Sequence, residues 1–372
     1  MTAMLRARIV SVARALSPLL LAPAALLLLS CRTLSGALCA LVALSLSIAP
    51  WTARSPRSIV RGAPWLFAVG FALIAVVRAP NGAAPDGARS RVVFLDGVTL
   101  SRLAPTNVVP EVDQLSMATH LLPLGDAIID RRGASRLREA IRRVYLQHER
   151  DPAFVAMGSA MGDALLDRDA GRLYVVEPRR AADERPPAII FLHGSGGSWK
   201  GYFALFARMA ERERWIVVQP SFGFGNWSAP GGLDAIERAR RYAVEQLHAD
   251  ADRIVLAGLS NGGLGIERAL CDGTPKYRGI IAISSVLTVD RLRCDPRDLG
   301  WRATPALLVH GAIDDRISLE HFTSNASALE QLGFAVTRRT FEHEDHFLIF
   351  TQPEAVFDEI ARWSRAVFTR RA

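Results

Sequence analysis

Lysine is nearly missing from this 372-residue chain: Lys200 and Lys276 are the only two. The formal net charge of +8 and the pI near 9.9 therefore come from arginine. A nucleic-acid surface would need those arginines gathered with aromatics on one element. They are scattered instead, with local groups beside the apolar N-terminal runs and at Arg370-Arg371, so no nucleic-acid partner is expected. Cysteine is scarce as well. Cys31, Cys39, Cys271 and Cys294 make neither a disulfide scaffold nor a metal site, and Cys271 and Cys294 stand far too wide apart for a CxxC motif. That pair is compatible with one disulfide or with two separate buried thiols. There is no internal repeat. No Gly-Lys-Ser/Thr follows the glycine-rich stretches, which argues against a phosphate-cradling loop.

What is abundant is apolar surface. Hydrophobic residues make up 50% of the chain and the mean hydropathy is +0.16, with the excess in the first 80 residues. Residues 16–48 are nearly all Leu, Ala, Val, Ser and Ile, broken by Pro18, Pro23 and Arg32. One straight helix there would be about 50 Å long, against a hydrocarbon core of roughly 30 Å. It would also hold Arg32 near mid-membrane at a cost of about 2.5–3.5 kcal/mol. A hairpin turning at Arg32-Thr33 avoids both. The pattern thus predicts a membrane anchor over residues 1–80, with three short spans at about 15–31, 34–51 and 59–77 and the bilayer lipid as a partner. Arg6, Arg8 and Arg14 before the first run, and Arg54, Arg57 and Arg61 before the third, put those loops in the cytoplasm. The expected localisation is the cell membrane, with everything after Arg78 outside the cytoplasm. Two spans would leave that part inside, and a cleaved leader ending near Cys31 is a third arrangement.

Residues 81–171 read as a linker and an extension of unknown role. Within them, 91–100 has strand character broken at Asp96-Gly97, and 135–148 is an amphipathic helix ending in His148, read as a packing side chain. From 172 onward, apolar runs alternate with helical patterns. The runs at 188–192, 215–218, 254–257, 280–283 and 306–309 are apolar on both faces, which implies a mostly parallel sheet covered by helices on both sides. Ligands of such sheets bind at the carboxyl ends of the strands.

The sequence Gly258-Leu259-Ser260-Asn261-Gly262 follows one of these runs and precedes a helical segment. A G-x-S-x-G in that setting is the sequence form of a nucleophile elbow, where a strained turn exposes a serine hydroxyl. With His193-Gly194-Ser195-Gly196-Gly197 after an earlier strand, His310-Gly311-Ala312-Ile313-Asp314 after a later one, and Asp345-His346-Phe347 last, the chain resembles the α/β-hydrolase superfamily over residues 172–372. Within it, the nearest likeness is to esterases of the dienelactone-hydrolase and polyester-depolymerase kind.

That resemblance implies an α/β-hydrolase catalytic domain at 172–372 with the triad Ser260, Asp314 and His346. Asp315 and His343 are the competing acid and base. The resemblance also assigns the backbone amides of Ser195 and Asn261 to an oxyanion hole. Trp199, Phe222, Phe224 and Trp227 are candidates for walling an acyl or aryl pocket. The expected function is a serine hydrolase cleaving carboxylic esters through an acyl-enzyme, acting on a small ester or acyl substrate. It needs no cofactor and no metal; His343, Glu344 and His346 lack a companion ligand motif. A prolyl-oligopeptidase-like peptidase, an acyltransferase and a non-catalytic binding protein on the same fold are the alternatives.

Overall fold

Continuous apolar runs flanked by amphipathic segments can bury themselves only as a sheet sandwiched between helices. The computed structural model shows that arrangement. It describes residues 3–52, 69–70, 89–96, 109–148, 151–166, 171–181, 183–273 and 276–369. The chain divides into two compact units, one of Met1–Ala79 with Leu103–Arg142 and one of Pro80–Arg102 with Arg143–Ala372.

The larger unit holds a sheet of β1 (Ser90–Phe94), β2 (Arg172–Val176), β3 (Ala188–Leu192), β4 (Ile216–Pro220), β5 (Ile254–Leu259), β6 (Gly279–Ile283), β7 (Pro305–Gly311) and β8 (Ala335–Phe341). Their order is β1-β2-β4-β3-β5-β6-β7-β8. β2 runs antiparallel to β1 and to β4, and every other pairing is parallel. This is the mostly parallel α/β-hydrolase sheet. β1 comes from residues read above as an extension. The inner strands are rich in Ile and Val, and β2 to β6 are buried along their whole length.

Alternate strand residues face opposite layers. On one face Val175, Ile190, Val218 and Leu256 pack with Ile236 and Ala239 of a helix at Gly232–Glu245 and with Ile266 of a helix at Gly262–Leu270. On the other, Phe191 meets Phe206 of the helix Lys200–Glu213, and Phe206 meets Phe357 of the helix Pro353–Thr369. Cys271 and Cys294, left open by the sequence, are joined in a disulfide.

The smaller unit overturns the anchor. Its helices span Ala3–Ser30 and Leu34–Thr52, and no helix among the described residues is long and apolar enough to cross a membrane. The reason is length. The stretches free of charge and of the closing Pro-Trp-Thr, residues 15–30 and 34–49, hold 16 residues each, or about 24 Å of helix against the roughly 30 Å required. The turn between them is also claimed by protein. The buried Asp113 carboxylate of a third helix, Glu111–Gly125, accepts from the Arg32 amide at 2.6 Å and the Thr33 hydroxyl at 2.5 Å. Ser116 donates to the Ser30 carbonyl at 2.7 Å. The expected cell-membrane placement, the catalytic part outside the cytoplasm and the bilayer partner rested on those spans and fall with them. The third span, at 59–77, lies outside the described residues except for 69–70.

Candidate active site

Four loops leave the carboxyl ends of β3, β5, β7 and β8, and the sequence-predicted site residues sit on them. The first is the turn from β5 into the helix that starts at Gly262. Ser260 has φ +49°, a left-handed conformation costly for a residue with a Cβ. Its amide donates to the Ile283 carbonyl, which fixes the turn. A Cβ on Gly258 would stand 2.7 Å from the Gly262 backbone, and one on Gly262 would stand 2.4 Å from the Leu192 carbonyl oxygen. Both glycines are therefore required by the closeness of strand, turn and helix.

Asp314 lies three residues past β7 and is buried, whereas its neighbour Asp315 is exposed. Its Oδ1 accepts from the amides of Arg316 and Ile317, both at 2.9 Å. Its Oδ2 meets Nδ1 of His346 at 2.9 Å, and Nε2 of His346 lies 3.1 Å from the Ser260 hydroxyl oxygen. Ser260, His346 and Asp314, drawn from positions up to 86 residues apart, thus form one hydrogen-bonded line. His343 is exposed instead. What brings the two loops together is Gly311, where a Cβ would stand 2.2 Å from the Glu344 carbonyl oxygen. The amides of Ala312 and Ile313 donate to the carbonyls of Phe341 and Glu344 across the same seam.

The electrostatics suit a charged carboxylate. Burial alone would raise the Asp314 pKa, but the hydrogen bond and charge of His346, with the two loop amides, outweigh it and hold the group below the ordinary carboxylate range.

The glycine loop after β3 borders Ser260 directly: a Cβ on Gly194 would be 3.2 Å from that of Ser260. The Ser195 and Asn261 amides donate no hydrogen bond to another described residue, while the next amide, Gly196, is taken by the Phe224 carbonyl. The loop is held by His193. Its Nδ1 donates to the Gly194 carbonyl at 2.8 Å and its Nε2 accepts from the Phe222 amide at 3.1 Å. Of the four aromatics considered as pocket walls, Trp199, Phe222 and Trp227 are buried, with Phe222 and Trp227 stacked 5.3 Å apart. Phe224 alone is open, at 50% exposure.

Sequence reasoning missed residues 151–166. This segment runs beside the glycine loop, Ala164 lying 3.6 Å from where a Cβ on Gly197 would stand. Lys200 holds it by donating to the Phe154 and Met157 carbonyls, and Arg172 pairs with Asp163 at 2.6 Å with both side chains fully buried. The signal was the charge itself: a lysine and an arginine inside apolar runs call for partners.

Residues 234–364 match the phospholipase/carboxylesterase family. Acyl-protein thioesterase 1 of Gibberella zeae is 25% identical over 221 residues, covering 50% of this chain and 92% of that protein. The protein of the same name from Neurospora crassa is 27% identical over 206 residues, 46% of this chain and 84% of that one. Among solved structures, a butyrate-bound esterase of Thermogutta terrifontis overlaps 54% of this chain and 91% of its own, with a TM-score of 0.42 and 18% identity.

Proposed function

We propose that this α/β hydrolase, a serine hydrolase of the carboxylic-ester kind, cleaves acyl esters with Ser260 as nucleophile, His346 as base and Asp314 as the acid that orients the base. Nε2 of His346 takes the serine proton as Oγ attacks the acyl carbon. Asp314 holds the imidazole in the tautomer with its proton on Nδ1 and stabilises the imidazolium; it need not take a proton itself. The tetrahedral oxyanion would receive the amides of Ser195 and Asn261, which are unspent in the resting site. Each such donor is worth about 2.7–4 kcal/mol of barrier. His346 then returns the proton to the departing alcohol, activates a water, and the acyl-enzyme is hydrolysed. A thioester, the bond named in the two fungal thioesterases, has the same reacting carbonyl and would follow the same steps.

The observation that supports this reading best is the unbroken contact from the Ser260 hydroxyl through His346 to Asp314. A fluorophosphonate probe should label Ser260 stoichiometrically. Ser260→Ala should lose labelling and lower kcat on p-nitrophenyl butyrate by roughly 10⁴-fold or more. Undiminished turnover in that variant would defeat the proposal. Faster cleavage of a peptide anilide than of the ester would favour a peptidase.

A further inference from the structure

His310 is buried at the end of β7, four residues before Asp314, and the scheme above gives it no task. Its Nε2 lies 2.9 Å from the Ile317 carbonyl oxygen, which can only accept, so Nε2 carries a proton. In the neutral ring Nδ1 is then a bare lone pair. That nitrogen has no hydrogen-bond partner and stands 3.9 Å from Oδ2 of Asp314, the same oxygen that takes His346. The ring is stacked on Phe322, with centroids 4.8 Å apart and planes 10° apart, so it cannot turn away without giving up that contact. Burial keeps it neutral against the pull of Asp314 and the Ile317 bond; His346 and His321 also face it and disfavour a second positive charge.

We propose that His310 is a positioning residue for the acid: one nitrogen clasps the far end of residues 311–317, and the other, offering no proton, reserves Oδ2 of Asp314 for His346. This rests on the reading of Ser260, His346 and Asp314 given above. A proton on Nδ1 of His310 would put a second donor on the same carboxylate oxygen. The charge that stabilises the His346 imidazolium would be shared, and the imidazole would become a weaker base.

Two amides separate the two nitrogens. In His310→Gln the side-chain amide can reach the Ile317 carbonyl while nothing new faces Oδ2. In His310→Asn the shorter amide sits near the former Nδ1, donates to Oδ2 and releases Ile317. The pH profile of kcat/KM on p-nitrophenyl butyrate should be close to unaltered in His310→Gln. In His310→Asn the value should fall roughly 10- to 100-fold, and the acidic limb should move to lower pH by about half a unit or more. Equal profiles for both variants would overturn the proposal. If neither variant folds, nitrogen NMR of histidine-labelled unaltered protein decides it. A proton-free Nδ1 on His310 at neutral pH supports the assignment, and a protonated one overturns it. Ser260 labelling is measured alongside. Labelling with an unmoved acidic limb removes the role of His310 alone, whereas no labelling removes the site reading and this role with it.

Discussion

His193 shows how one side chain can fix a loop and set a pH limit at the same time. It is fully enclosed, and burial lowers its pKa to about 4, with the bond to the Gly194 carbonyl opposing only in part. A histidine in the unfolded chain titrates near 6.5, so between about 6.5 and 4 the unfolded state binds a proton that the folded state refuses. Stability is whole above that window and declines as pH falls through it, by about 3 kcal/mol from this residue. Denaturant unfolding at stepped pH should show the decline, and His193→Gln should flatten it while costing stability at neutral pH. An equal slope in the variant would assign the loss to other groups. His310, also depressed by burial, adds in the same direction.

Among the elements, the tip Gly223-Phe224-Gly225 after β4 carries the one open ring of the four aromatics considered as pocket walls. Gly223 and Gly225 both have positive φ, and a Cβ on Gly225 would stand 2.4 Å from the Gly194 carbonyl oxygen. The tip is therefore pressed along the glycine loop, with the Phe224 ring outward; Ile313, beside Asp314, is similarly open at 56% exposure. Phe224→Ala should lower the preference for p-nitrophenyl hexanoate over acetate roughly 5- to 30-fold, equivalent to about 1–2 kcal/mol of apolar contact. Acetate turnover should stay near its original rate, and an unchanged preference would show that the ring is only a surface side chain. The strands that place these loops were legible in the sequence because runs such as Ala188–Leu192 and Ile254–Leu259 are buried on both faces. The elbow was legible because its glycines are sterically required. Residues 151–166 were not. Their two helices, Pro152–Ala156 and Met161–Leu166, are too short for a period, and their place depends on Arg172 and on Lys200, the latter far along the chain. At the N-terminus apolarity was plain, but Arg14, the turn at Arg32-Thr33 and the closing Pro50-Trp51-Thr52 left each apolar stretch too short to do what its composition suggested.

At the scale of the whole molecule, the Cys271–Cys294 bond ties the end of the helix that follows Ser260 to the segment past β6. The sequence separation of 23 between the partners implies a chain-entropy stabilisation of about 3 kcal/mol. Replacing both cysteines with serine should lower the unfolding free energy by about that amount. Ser260 should still react with the probe at 25 °C, so loss of labelling in a folded variant would mean the bond also shapes the site. A second long-range tie lies in the smaller unit, where residues on both sides of the 80–102 insertion belong together. Trimming the gene at codon 80 would therefore not remove a detachable tag. It would strip Asp113 and Ser116 of their partners at Ser30, Arg32 and Thr33 and open to water the face of the helix Glu111–Gly125 that those residues cover. Any minimal version of this protein must respect that non-contiguous seam, keeping both halves or discarding both.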